Sequence, residues 1–356
     1  MRSDKVKLAQ TPHKTKVQAK LALTFDSNAL LPALFGQHDQ NLARLEQSFG
    51  VEIASRGNRL VLKGDEGACH QVREVLEHLY SRLQEGSAIT MGDVDGAVRM
   101  AQEQEIELLN KIPGSKAKRP VNDDVAGREI IKINTRKRVI TPRSSTQNVY
   151  IRALDSADLV FAAGPAGTGK TYLAVAMAVS KLISGEVDRI ILSRPAVEAG
   201  ESLGYLPGDM KEKVDPYLRP LYDALHDTMP AEQVAKRIEI GEIEIAPLAF
   251  MRGRTLSHAF VILDEAQNTS PGQMKMFLTR LGENSCMAVT GDPSQVDLLP
   301  GMESGLQNAI SLLDGVEGVS VITFDEKDVV RNRLVRRIIK AYDEGERKKP
   351  PATKKK

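Results

Sequence analysis

Eight residues, Gly164-Pro165-Ala166-Gly167-Thr168-Gly169-Lys170-Thr171, carry the spacing Gly, four residues, then Gly-Lys-Thr. That is the pattern of a loop whose backbone N–H groups cradle phosphate. Gly164, Gly167 and Gly169 let those groups approach phosphate oxygens with no Cβ in the way. The N-terminus of a following helix adds a favourable partial positive charge. Lys170 is expected to reach the β- and γ-phosphates, and the Thr171 hydroxyl to ligate Mg²⁺.

Two further motifs follow in order. In Phe260-Val261-Ile262-Leu263-Asp264-Glu265 four apolar residues run into two acids. A buried parallel strand would present those acids at its carboxyl end, where α/β sheets bind ligands. Asp264 is expected to hold Mg²⁺ through water, and Glu265 to polarise an attacking water. An acid at the position of Glu265 argues for a hydrolase over a small-molecule kinase. Met287 to Asp292 is a third apolar run with a polar exit, and Gln295 beyond it is placed to sense a γ-phosphate. The run Ile190 to Ser193 leads to Arg194, equally readable as a phosphate contact or as an ion-pair partner. Upstream, Thr141 to Gln147 looks like the adenine-reading segment of superfamily-one helicases. Arg143 and Gln147 are therefore assigned to the nucleotide, with the Gln147 amide offering both a donor and an acceptor to adenine. The guanine-reading Asx-Lys-x-Asp does not occur, so ATP with Mg²⁺ is the expected ligand.

These motifs need a parallel α/β sheet to hold them. Candidate strands lie at 159–163, 189–193, 242–246, 259–263, 286–290 and 319–324, and a helix from Tyr172 to Ile183 stops at Gly185. The ATPase domain is expected over 129–342, opening with a hairpin of Ile130–Ile133 and Arg138–Ile140. Residues 1–19 and 343–356 are Lys-rich and polar, as disordered ends are. Residues 86–128 read as a helix and an exposed linker punctuated by Pro113, Gly114, Pro120 and Gly127.

Between them, residues 20–85 alternate as a strand through Leu21, Leu23 and Phe25. Two short helices follow, then two strands joined by Gly57-Asn58 and an amphipathic helix through Val72 to Leu83. The order strand-helix-helix-strand-strand-helix resembles a KH domain, which clamps RNA backbone with a GXXG loop. Here that loop is Gly36-Gln37-His38-Asp39, with an acid where the second glycine belongs. A carboxylate beside a phosphate is unfavourable, so an assembly role for this module stands beside RNA binding.

The chain has 356 residues, 41% apolar and 27% charged, enough for one large domain and one small one. A net charge of +2 and 4% aromatic residues exclude a dedicated basic nucleic-acid binder built on stacking platforms. Any RNA contact has to come from local basic patches. Cys69 and Cys286 stand far apart without a CxxC spacing, as buried thiols in a reducing compartment would. There is no apolar run of membrane-spanning length, and a cytoplasmic protein is expected.

Together the motifs resemble the PhoH-like family of phosphate-starvation-inducible ATP-binding proteins with a helicase-like core. The resemblance is carried by Gly164 to Thr171, Arg194 to Glu201, Leu206 to Asp209, Lys213 to Asp223, Ala246 to Leu256 and the Asp264 and Asp292 motifs. It implies a cytoplasmic ATPase linked to RNA metabolism, with an rRNA-maturation endoribonuclease as a partner, and a hexameric ring. An ATP-dependent switch or assembly protein that moves no nucleic acid is the alternative. Too little chain follows Phe324 to form a second helicase lobe, so a neighbouring subunit would supply the arginine finger. Arg252, Arg254 and Arg331 are the candidates.

Overall fold

The computed structural model describes residues 18–110, 130–195, 210–299 and 301–330. The expected linker at 111–128, almost all of the N-terminal segment, the C-terminal tail and Arg331 lie outside the described residues. The chain divides into two compact units, Met1–Arg119 and Pro120–Lys356.

The first unit runs β1 (Gln18–Thr24), α1 (Leu31–Phe35), α2 (Gln40–Phe49), β2 (Glu52–Arg56), β3 (Arg59–Asp65), α3 (Glu66–Gln84) and α4 (Met91–Asn110). Its three strands form an antiparallel sheet in the order β1-β3-β2. Gly36 (φ 77°) and Gly50 (φ 66°) end α1 and α2 in conformations that glycine adopts without a Cβ penalty. The Asp65 carboxylate caps α3 by accepting from Gly67 N at 3.1 Å. β3 passes through Gly64 and stops at Asp65. One face of the sheet, with Leu23, Leu60 and Leu62, buries against Val72, Val75, Leu76 and Leu79 of α3. Val94, Val98 and Ala101 of α4 sit in the same core. An ion pair buried on both sides, Arg82 to Asp93 at 3.3 Å, ties α3 to α4. The helix assigned to the connection from sequence is thus packed into the first unit.

The second unit opens with a short antiparallel ladder of β4 (Ile133–Asn134) and β5 (Val139–Ile140), followed by α5 (Ser145–Ser156). Then come β6 (Leu159–Ala163), α6 (Lys170–Ser184), β7 (Arg189–Arg194), α7 (Met210–Thr228) and α8 (Ala231–Glu239). β8 (Ile243–Pro247), β9 (Ala259–Leu263), α9 (Pro271–Leu278), β10 (Cys286–Gly291), α10 (Gly305–Leu313) and β11 (Val319–Thr323) complete it. All six expected strands are present, each end within one residue of its expected position. They form a single parallel sheet in the order β11-β6-β10-β9-β7-β8. β6 and β9 are buried along their whole length, as strands covered on both faces must be. Val160 and Ala162 face the layer containing α6, while Leu159 and Phe161 face Met274, Phe277 and Leu306 on the other side. Each large side chain buried there contributes ~1.5–3 kcal/mol, which makes the sheet the rigid platform for the loops at its carboxyl edge.

Candidate functional site

The glycine loop joins β6 to α6, and its backbone explains its composition. Gly164 has φ 148°, and a Cβ there would sit 2.4 Å from the Phe324 carbonyl oxygen. Gly169 (φ 85°) caps α6, so the helix begins at Lys170, two residues earlier than its apolar periodicity indicates. Lys170 and Thr171 therefore occupy its first turn, where free N–H groups and the helix dipole attract an anion.

Helix α5 fastens this loop from below. The buried Gln147 donates from Nε2 to the Thr168 carbonyl at 2.9 Å and accepts from Arg143 N at 2.6 Å. Three residues on, the Tyr150 hydroxyl donates to the Lys170 carbonyl at 3.2 Å, and its ring meets Phe324 edge-on at 5.5 Å. Both ends of the Gln147 amide are thus engaged by the protein, and Arg143 lies half-buried beside it. The Lys170 ammonium folds onto its own loop, donating to the carbonyls of Gly164 (2.7 Å) and Pro165 (2.8 Å) and to Thr168 Oγ1 (3.3 Å). Ala166 N donates to Asp292 Oδ2 at 3.1 Å, and Gly167 accepts from Val330 N at 2.9 Å.

The strand order brings the remaining motifs to this loop. β10 lies between β6 and β9, so the Asp292 and Asp264 motifs emerge side by side next to the glycines. Asp264 is buried, and its Oδ1 accepts from Thr171 Oγ1 at 2.7 Å and from Thr290 Oγ1 at 2.8 Å. A carboxylate touching the hydroxyl of the first helical turn is the oxygen donor set that suits Mg²⁺, a hard cation held by few protein oxygens plus phosphate and water. The residues present fit that ion.

Glu265 follows in a left-handed conformation (φ 52°, ψ 37°), unusual for a residue with a side chain and a recurrent mark of functional sites. Its Oε1 is 3.1 Å from Arg194 Nη2, and its Oε2 accepts from Gln267 Nε2 at 2.6 Å. The ion-pair reading of Arg194 is the one drawn by these contacts. A cleft of about 720 Å³ opens here, lined by Thr171, Tyr172, Arg194, Asp223, Asp264 and Glu265.

One central residue escaped the sequence reading. Gln267 is fully buried; besides Glu265 it donates to the Gln295 carbonyl at 3.1 Å, and its Oε1 accepts from Asp292 N at 3.0 Å. It reaches Asp292 because Gly291 has no side chain: a Cβ there would stand 2.6 Å from Gln267 Oε1. The available signal was its place two residues after Glu265, on the same strand exit. Gln295 is exposed, with its Nε2 on Asp292 Oδ2 at 2.8 Å. Asp292 thus links Gln295 to the glycine loop.

The arginine candidates are placed differently. Arg254 makes a two-pronged pair with Glu244 on the edge strand β8, at 2.6 and 2.7 Å. The guanidinium holds the Glu244 carboxyl below its usual range, and the carboxylate raises Arg254 in turn. Arg252 is exposed. Among the described residues, no helix is long and apolar enough to cross a membrane.

A six-stranded parallel sheet with a glycine loop between its strand and helix, and acids at the neighbouring strand ends, defines a P-loop α/β protein of the ATPase type. The particular family is equally clear. The family model described as PhoH-like protein matches residues 139–343, and the chain belongs to that family. It is 49% identical to a PhoH-like protein of Bacillus subtilis over 311 residues, covering 87% of this chain and 93% of that one. A PhoH-like protein of Synechocystis is 44% identical over 343 residues, 96% and 99% of the two chains. Protein PhoH of Escherichia coli K12 is 49% identical over 205 residues, 57% and 58% of the two.

Proposed function

We propose that this protein binds ATP with Mg²⁺, hydrolyses it, and couples that turnover to RNA metabolism. The observation that carries the ATPase reading is the 2.7 Å contact between Thr171 Oγ1 and Asp264 Oδ1. It joins the hydroxyl at the end of the phosphate loop to the carboxylate of a separate strand, a pairing that serves to hold one metal ion beside the phosphates.

In this reading Gly164, Pro165, Ala166, Gly167, Thr168 and Gly169 wrap the phosphates with backbone N–H groups. Lys170 leaves its three loop oxygens for the β- and γ-phosphates. Thr171 and Asp264 hold Mg²⁺, which supplies neutralising charge to the phosphate oxygens. Glu265 orients a water and takes its proton as the water oxygen bonds to the γ-phosphorus and the bond to the β-phosphate oxygen breaks. Gln295 senses the γ-phosphate, and its bond to Asp292 offers a route back to Ala166. Arg143 and Gln147 serve the nucleotide, Gln147 through the Thr168 carbonyl that it holds. An arginine from a neighbouring subunit of a homo-oligomeric ring completes the site, with Arg252, Arg254 and Arg331 as its candidates.

The RNA link rests on the family resemblance and on the first unit. Its strand-helix-helix-strand-strand-helix order supports a KH-like reading, and an rRNA-maturation endoribonuclease is the proposed partner in a cytoplasmic setting. A second reading, an ATP-driven switch that handles no nucleic acid, is favoured by one observation. The exposed turn at Gln37–Asp39 places the Asp39 carboxylate at the start of α2, where an RNA phosphate would have to sit. Phosphate release from ATP, measured with and without single-stranded RNA, tests the proposal. No turnover in either condition refutes the ATPase, and turnover indifferent to RNA favours the switch.

A further inference from the structure

Within the first unit, and among the described residues, the three-stranded sheet is covered on one face only. The covered face is Leu21, Leu23, Ile53, Leu60 and Leu62. The other face follows from the register. One row across the strands is Lys20, Lys63 and Glu52, the middle row is Ala22, Val61 and Ala54, and the last is Thr24, Arg59 and Arg56. Val61 is half-buried and the others are exposed.

This face sets like charges against each other. Lys20 lies directly opposite Lys63, and Arg59 directly opposite Arg56, an arrangement that destabilises a sheet. Two acids belong to the same face. Glu52 is spent on Lys63 at 3.3 Å, and the Asp65 carboxylate is turned to cap α3. Among the described residues, Lys20, Arg56 and Arg59 have no ion pair or side-chain hydrogen bond. A fold that keeps Arg56 opposed to Arg59 with neither neutralised, and Lys20 unpaired beside Lys63, gains from an external polyanion that lies across them.

We propose that this open sheet face is an RNA-binding surface that holds the phosphate backbone of a single strand through Lys20, Arg56 and Arg59. It rests on the RNA-linked half of the proposed function and locates that contact on the sheet, away from the Gly36–Asp39 turn. The middle row of Ala22, Val61 and Ala54 is low and narrow, so the backbone can cross it between the two cationic rows. It offers too little apolar area for the core of a protein interface and no large side chain to enter a bilayer. No aromatic residue stands on the face, so the contact reads phosphate and not base, and it tolerates any sequence.

The test is binding of a fluorescent 20-nucleotide oligouridine to the full chain between 50 and 200 mM salt. Three phosphate contacts give a slope of log affinity against log salt of about −2, or a roughly 20-fold loss over that range. The triple variant Lys20→Gln, Arg56→Gln, Arg59→Gln is expected to bind at least ~10-fold more weakly at 50 mM and to flatten the slope by about 2. Its melting temperature should not fall, because the substitutions remove repulsion. Glu52→Gln frees Lys63 and should tighten binding and steepen the slope by about 0.7. Unchanged affinity and slope in the triple variant would overturn the inference. So would wild-type binding to phosphatidylserine vesicles without binding to oligouridine. Basal ATP turnover is measured on the same preparations and should be equal in all of them. Its absence from every preparation would refute the ATPase and leave the oligouridine result standing.

Discussion

Gln267 holds Glu265 from behind: its Nε2 donates to Glu265 Oε2 at 2.6 Å, while its Oε1 takes the Asp292 amide at 3.0 Å. One buried side chain thereby sets the position of the proposed water-activating acid relative to the strand exit that leads to Gln295. Replacing it with Leu keeps the volume and removes the amide. The Asp292 N–H then lacks a buried partner, which costs about 1–3 kcal/mol. The expected outcome is a lower melting temperature, with turnover reduced more than ATP affinity. A variant that loses stability but turns over ATP normally would show that the amide is structural alone.

Glu265→Gln keeps the left-handed backbone and the shape of the side chain but cannot accept a proton. ATP binding should persist while hydrolysis slows by ~10²–10⁴, the usual effect of losing a positioned acid–base group. Nucleotide affinity and single-turnover phosphate release, measured side by side, separate the two. Unimpaired hydrolysis would move the proton acceptor elsewhere.

Lys170→Ala removes the loop's cation. ATP affinity should fall below detection in calorimetry, with a melting temperature taken on the same sample to check that the variant is folded. Near-normal ATP affinity would sink the assignment of the glycine loop.

The Arg254–Glu244 pair predicts a dependence on pH. A carboxyl group held below its unfolded value by a guanidinium stabilises the fold above that unfolded value, about pH 4.3 for Glu. The gain is lost as pH falls through the lower folded value. Arg254→Ala should therefore lower stability at pH 7 by about 1 kcal/mol or less, given how open the pair is to solvent. The difference from wild type should vanish in strong acid. Urea titrations in steps from pH 7 down to pH 2 check this, the difference shrinking as the pH falls. A finger role predicts a different result, a ~10³–10⁵-fold loss of turnover that a mixture with Lys170→Ala chains restores. Turnover close to wild type in Arg254→Ala alone would leave Arg252 and Arg331 as the trans-acting candidates.

Burial pushes the Cys286 thiol up to about 12. At pH 8 only ~1 in 10⁴ of these groups is thiolate, and thiolate is the reactive form. Native protein should leave Cys286 unlabelled by a disulfide reagent, and unfolding in guanidinium should expose it. Fast labelling of native Cys286 would contradict the packing of β10 against the carbonyls of Leu154 and Ala157.

What is local was legible along the chain. Leu159–Ala163, between Asp158 and Gly164, and Ala259–Leu263, bounded by His258 and Asp264, are short apolar runs between polar or glycine residues, so their ends could be read to the residue. Gly164 to Thr171 announced its chemistry because a phosphate loop needs its glycines and lysine contiguous. Tertiary structure decided everything that depends on which strand lies beside which. Insertion of β10 between β6 and β9 brings Asp264 to Thr171, and Asp292 to Ala166, across more than 90 residues of chain. No spacing rule encodes that order, because it is chosen by how two apolar layers close over the sheet. The same holds for Gln147, whose amide is engaged by backbone only once α5 lies under the loop, and for Arg254, which finds Glu244 only across the edge strand. Gln267 passed unnoticed because a buried amide has no pattern of its own; its partners are a carboxylate and two backbone groups gathered by the fold.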